Sequence, residues 1–144
     1  MTTWLHHDHK QFETAVHRCR TICDDEDWSM VHQVFQDFLS SYEMHVQLEE
    51  DVLFPMYEER PETSPEPTDS LREDHAQIFR LGKNIQDLLA RGDWEVVPHD
   101  VSLLYQALIR HHEKEEEMFL PMASDALLSD KDKVIAELER RASV

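Results

Sequence analysis

The sequence predicts an all-α fold: an up-down-up-down four-helix bundle made from two duplicated helical hairpins, plus a short C-terminal helix. Three observations predict it. Apolar residues recur at helical spacing in four stretches, while strand-type alternation is scarce. Glycine is very rare, with 2 in 144 residues. The chain also matches itself, without a gap, at an offset of 66 residues. Asp8-His9 recurs as Asp74-His75, and Asp27-Trp28 as Asp93-Trp94. His45-x-x-x-Glu49-Glu50 recurs as His111-x-x-x-Glu115-Glu116, and Pro55-Met56 as Pro121-Met122. A repeat of this length, with a helix pair in each copy, reads as one supersecondary unit used twice.

The first helix is expected from Thr3 to Ile22, with Leu5, Phe12, Val16, Cys19 and Cys23 on one face. The acidic run Asp24 to Asp27 breaks that pattern, and Asp27 suits the N-cap of the next helix. The second helix runs from about Trp28 to Tyr57, with Phe35, Phe38, Tyr42, Val52 and Met56 inward. Pro61, Pro65 and Pro67 cannot sit inside a helix, so 60–69 reads as a linker. The third helix spans about Ser70 to Ala90 and stops at Gly92. The fourth runs from about Trp94 to Ala123, with Leu104, Leu108, Met118 and Met122 inward. Pro55 and Pro121 fall late in their helices and mark a kink or a last turn. One domain is therefore expected over 1–144: hairpin one over about 3–59, hairpin two over about 70–124, and a terminal helix over about 130–141.

A formal charge of -17 excludes the basic surface that nucleic acid or anionic lipid requires. No apolar run is long enough to span a membrane, and no basic-then-apolar leader opens the chain, so a cytoplasmic location is expected. Cys19 and Cys23 map by the repeat onto Ile85 and Leu89, which favours two small buried apolar side chains over a disulfide or metal pair.

Each inward stripe is apolar except at one level. There helix one inserts His9, helix two His45 with Glu49, helix three His75, and helix four His111 with Glu115. Distances along the chain from the interhelical turns place His9 beside His45 and His75 beside His111 in one layer. A lone histidine on such a stripe is usually a satisfied core residue, and one His-x-x-x-Glu is a common surface pair. Four histidines and two glutamates, duplicated in register, point instead to a metal site. Burying two carboxylates costs several kcal/mol each unless cations neutralise them. Imidazoles with carboxylates suit iron, manganese or zinc, and the two glutamates can bridge two ions. The off-register pair His112 with Glu116 is an alternative that the repeat disfavours. His6, His7, His17, His32, His99 and His112 do not repeat and read as surface residues.

The chain resembles the hemerythrin-like, or HHE cation-binding, family over about residues 4–123. The resemblance rests on Asp8-His9, His45-x-x-x-Glu49-Glu50 with Leu53-Phe54-Pro55, Asp74-His75, and His111-x-x-x-Glu115-Glu116 with Phe119-Leu120-Pro121. It implies two iron ions in an oxo- or hydroxo-bridged non-haem centre, held by His9, His45, Glu49, His75, His111 and Glu115. Phe79 stands where oxygen-carrying members have a further histidine, and His-x-x-x-Glu replaces their His-x-x-x-x-Asp. Two residues can modify the site. Glu13, one turn after His9, is a possible extra ligand, set against a solvent-facing acid. Tyr42, one turn before His45, is a possible proton donor, set against core packing. The expected function is a di-iron protein reacting with peroxide, nitric oxide or dioxygen in a redox or detoxifying role against oxidative stress, with peroxide decomposition or nitric oxide reduction as its enzymatic forms. The alternative is a non-catalytic module that binds or senses iron or oxygen. The sequence names no electron donor.

Overall fold

The computed structural model describes residues 3–123 and 125–143. Among these residues every regular element is helical. Helix α1 (Trp4–Asp24) starts where the Thr3 side chain accepts the His6 N–H. Helix α2 (Trp28–Leu48) starts at Asp27, whose side chain caps Met30 N as the sequence predicts. A wide π turn (Glu49–Leu53) and helix α3 (Phe54–Glu58) carry the same rod onward. Helix α4 (Glu66–Arg91) and helix α5 (Val97–Phe119) form the second hairpin, and α5 ends in a 3-10 turn, Leu120–Met122. Helix α6 (Ala126–Ser129) and helix α7 (Lys131–Ala142) follow. The expected end of hairpin two at residue 124 lies outside the described residues.

Helix boundaries differ from expectation at the prolines. Helix α4 begins at Glu66, so Pro67 lies in its first turn instead of outside it. Helix α5 begins at Val97, with Pro98 in its first turn, leaving Trp94 before the helix. Both cases have one cause: the first N–H groups of a helix have no intrahelical partner, so proline there loses nothing. Pro55 and Pro121 occupy equivalent positions yet resolve their missing donor differently. The first half widens, with Phe54 N–H reaching Glu49 O, while the second tightens.

Helix α1 packs against α2 and α5, and α4 packs against α5 and α2. Gly82 lets α4 approach α2 closely, because a Cβ there would meet Leu39 Cδ2 at 3.0 Å. The α4 helix stops at Gly92, whose φ of 75° favours glycine. The duplicated tryptophans Trp28 and Trp94 stack on each other at 5.1 Å between ring centroids.

The apolar interior falls into two clusters. One lies toward the interhelical turns and includes Val16, Phe35, Phe38, Tyr42, Ile78, Ile85, Leu104 and Leu108. The other lies toward the chain's C-terminal segment and includes Leu5, Leu48, Leu53, Phe54, Leu71, Phe119, Leu128 and Val134. Each fully buried large apolar side chain contributes about 1.5–3 kcal/mol of transfer free energy. Cys19 and Cys23 are free thiols in the first cluster, and burial pushes Cys19 up to about 12. Met118, expected inward, is only half-buried; Phe119 takes the interior position as α5 gives way to its last turn. No helix among the described residues is long and apolar enough to cross a membrane.

Candidate metal centre

Between the two clusters lies a polar layer. The structure brings together the six side chains singled out in sequence, as two groups that share both glutamates. One group is His9, His45, Glu49 and Glu115; the other is Glu49, His75, His111 and Glu115. None of the six is more than 3% exposed. His9 and His45 sit 5.1 Å apart by ring centroid, and His75 and His111 4.6 Å.

Each glutamate turns one oxygen to each group. Glu49 Oε2 lies 3.0 Å from His45 Nε2 and 3.4 Å from His9 Nε2, while its Oε1 lies 3.0 Å from His75 Nε2. Glu115 Oε1 lies 2.9 Å from His9 Nε2, and its Oε2 lies 3.2 Å from His111 Nε2 and 3.6 Å from His75 Nε2. These atoms are close, yet most of them do not point at one another. His45, His75 and His111 Nε2 and both Glu115 oxygens are buried without a hydrogen-bond partner. Unsatisfied buried polar atoms are costly, so a cluster of them needs a physical reason. Lone pairs aimed at shared points between the side chains, and not at one another, are what cations require.

The outer nitrogens are all satisfied, and in a symmetric way. His45 Nδ1 donates to Asp8 Oδ2 at 3.1 Å, and His111 Nδ1 to Asp74 Oδ2 at 3.0 Å. His9 Nδ1 donates to Glu116 Oε2 at 2.8 Å, and His75 Nδ1 to Glu50 Oε2 at 2.6 Å. An Nδ1–H held by a carboxylate fixes the tautomer with Nε2 free to bind a cation. These four acids are identical in the repeat and adjacent in sequence to the six. That signal could have assigned their role, and sequence reasoning missed it.

Burial opposes protonation of these imidazoles, but the surrounding carboxylates prevail. His9 is raised well above its usual value by Glu115, Glu116 and Glu49, and His75 is raised to about 11 by Glu115, Glu49 and Glu50. His45 and His111 are raised as well, and Glu49 and Glu115 stay ionised below the usual carboxylate range despite burial. Two lysines complete the charge balance: Lys131 Nζ lies 2.7 Å from Asp8 Oδ2, and Lys114 Nζ 2.7 Å from Asp74 Oδ2. Two inward and four outward carboxylates thus face four imidazoles and two lysines. Two divalent cations held by neutral imidazoles would supply the same positive charge as four added imidazole protons.

The structure places two further residues weighed in the sequence, Glu13 and His112, and corrects the reading of the second. Glu13 does not join the donor groups; its Oε2 accepts from His112 Nδ1 at 2.8 Å and its Oε1 from Lys10 Nζ at 3.2 Å. His112 is not a surface residue. It is 1% exposed and stacks face to face on His9, with centroids 3.9 Å apart. A buried imidazole needs an acceptor for its N–H, and Glu13 supplies it. The repeat carried this signal, because His112 is equivalent to Val46, which is also buried. Of the other non-repeating histidines, His7, His17, His32 and His99 are exposed and His6 is half-buried against Glu116. Tyr42 is fully buried, with its hydroxyl unpartnered.

Neither the curated proteins nor the solved structures that were searched gave a significant match. The family profile described as the hemerythrin HHE cation-binding domain matches residues 1–123. With that match over most of its length and this donor set inside it, the chain belongs to the hemerythrin HHE cation-binding domain family.

Proposed function

We propose that this chain is a di-iron protein that meets a small oxidant, with His9 and His45 as terminal ligands of one ion, His75 and His111 of the other, and Glu49 and Glu115 bridging both. In this reading α1, α2, α4 and α5 form an up-down-up-down bundle around the pair. The observation that carries it is the convergence of six buried donor side chains in two groups, with the inward atoms of His45, His75, His111 and Glu115 left without a hydrogen-bond partner. A carboxylate-bridged iron pair supplies redox equivalents and open positions that a diatomic or peroxide molecule can occupy.

The chain's own residues do the rest. Asp8, Glu116, Asp74 and Glu50 hold the Nδ1 protons and so present Nε2 inward. The apolar clusters on either side exclude water, which favours small uncharged ligands over bulky substrates. Tyr42 holds a proton beside the layer: burial and the nearby charges of Glu49 and Glu115 keep its phenol protonated far above the usual range. Its free hydroxyl can donate to a ligand in the layer.

Purified chain loaded with ferrous iron should hold about two ions. Mixing with hydrogen peroxide, nitric oxide and dioxygen in turn should change its visible spectrum within the mixing experiment. Oxygen evolution from peroxide supports turnover, whereas a persistent adduct that releases intact gas supports the binding or sensing alternative. A spectrum indifferent to all three would reject the redox reading.

A further inference from the structure

The repeat accounts for the donors and for the carboxylates behind them, but not for the lysines behind those. Asp74 is met by Lys114, three residues after His111 on the same helix. The equivalent position in the first half is Leu48, which is fully buried and has no charge to offer. Asp8 is met instead by Lys131, from helix α7, which has no counterpart in the repeat and lies beyond the residues matched by the family profile.

We propose that Lys131 is a positioning residue of the metal centre, through which the C-terminal helix fixes Asp8 and with it the His45 imidazole. The inference rests on the metal reading above. Lys131 Nζ and His45 Nδ1 share one oxygen, Asp8 Oδ2, at 2.7 and 3.1 Å. Lys131 is also the first residue of α7, where a cation opposes the helix dipole, so its place is better explained by Asp8 than by the helix. The lysine is anchored from several sides. Its ammonium lies 5.7 Å over the Trp4 ring, the Trp4 indole N–H donates to Leu127 O at 2.8 Å, and the Trp4 ring edge meets His45 at 5.8 Å. Leu128 and Val134 are fully buried in the cluster beneath the layer, and α7 packs on the π turn that starts at Glu49. Through Lys131 and Asp8 the C-terminal segment thus clasps the His9–His45 side.

Lys131→Met keeps the stem over Trp4 and removes the charge. In the iron-loaded full chain it should retain both ions, yet release one of them to a chelator about 5- to 10-fold faster than wild type, since outer-shell partners typically shift metal affinity by about 10-fold or more. The Mössbauer signal of one iron should move while the other stays, and Lys131→Arg should restore both readouts. Lys131→Gln provides the same reading should the methionine variant fold poorly. Wild type holding two irons, with Met and Gln variants indistinguishable from it in release and spectrum, overturns this inference and leaves the proposed function standing. A wild-type chain that binds no iron overturns both.

Discussion

The two halves of the metal layer have the same donors but different surroundings. Around His75 and His111 the neighbours are mainly apolar: Phe54 stacks on His75 at 5.7 Å, and Phe79 packs against Tyr42, whose ring is shared by both halves at 6.4 Å from His75 and 6.3 Å from His45, while His112 comes within 5.8 Å of His111. Around His9 and His45 they are partly polar, with His112 stacked on His9, Glu13 behind it, and Trp4 and Phe12 edge-on to His45. Access differs too. His111 itself lines a cleft of about 240 Å³ with Asp74, Gln77, Ile78, Ala107, Arg110 and Lys114. The cleft beside the other half, about 210 Å³, reaches the outer residues His6 and Glu116 but none of the six donors. Duplication therefore accounts for where ions can sit, and the residues that do not repeat make the two positions unequal.

The largest effect expected comes from what the halves share. Glu49→Ala removes a bridge from both groups, so metal analysis should find neither ion retained after dialysis. His45→Ala and His111→Ala should each lose only the ion on their own side. Next come the outer acids. Asp8→Asn and Asp74→Asn should each weaken binding of one ion by about 10-fold or more, read by chelator competition. Equal weakening of both ions by either variant would show that the halves do not act separately.

The pH dependence of stability should reverse between metal-free and metal-loaded chain. The four donor imidazoles are raised above 6.5, His75 to about 11. Between those values the folded chain binds more protons than the unfolded one, so their contribution is complete below pH 6.5 and is lost as pH rises. His112 acts with the opposite sign: burial lowers it to about 4, so acidification from 6.5 to 4 costs stability. The metal-free Tm should therefore fall from pH 6.5 toward 9. Bound cations need neutral imidazoles, so the loaded Tm should rise over the same window. The smallest effect expected is that of Glu13→Gln. It weakens the acceptor for buried His112 and should cost about 1 kcal/mol in denaturant unfolding, with both ions retained. Loss of an ion in that variant would return Glu13 to the list of donors.

Much of this was legible in the sequence because the repeat and the helical period agree. The six candidate donors predicted to lie inward are all buried, and the inward faces of α1, α2 and α4 are buried as their spacing required. The roles of Asp8, Glu50, Asp74 and Glu116 escaped although these acids repeat; the rest of what escaped breaks the repeat. His112 looked polar and unrepeated, yet helix geometry puts it where Val46 is buried. Pro55 and Pro121 are equivalent in the repeat, but one follows a π turn packed on α7 and the other lies within a 3-10 turn, and that choice depends on tertiary contacts. The Lys131–Asp8 pair joins positions far apart in the chain, and no local pattern announces it.

The most direct test of the central claim is an anomalous-scattering crystal structure of the iron-loaded chain. It should show two peaks, one among His9, His45, Glu49 and Glu115 and one among His75, His111, Glu49 and Glu115. A single peak, or iron bound outside the layer while these six side chains pair with one another or with water, would contradict the account.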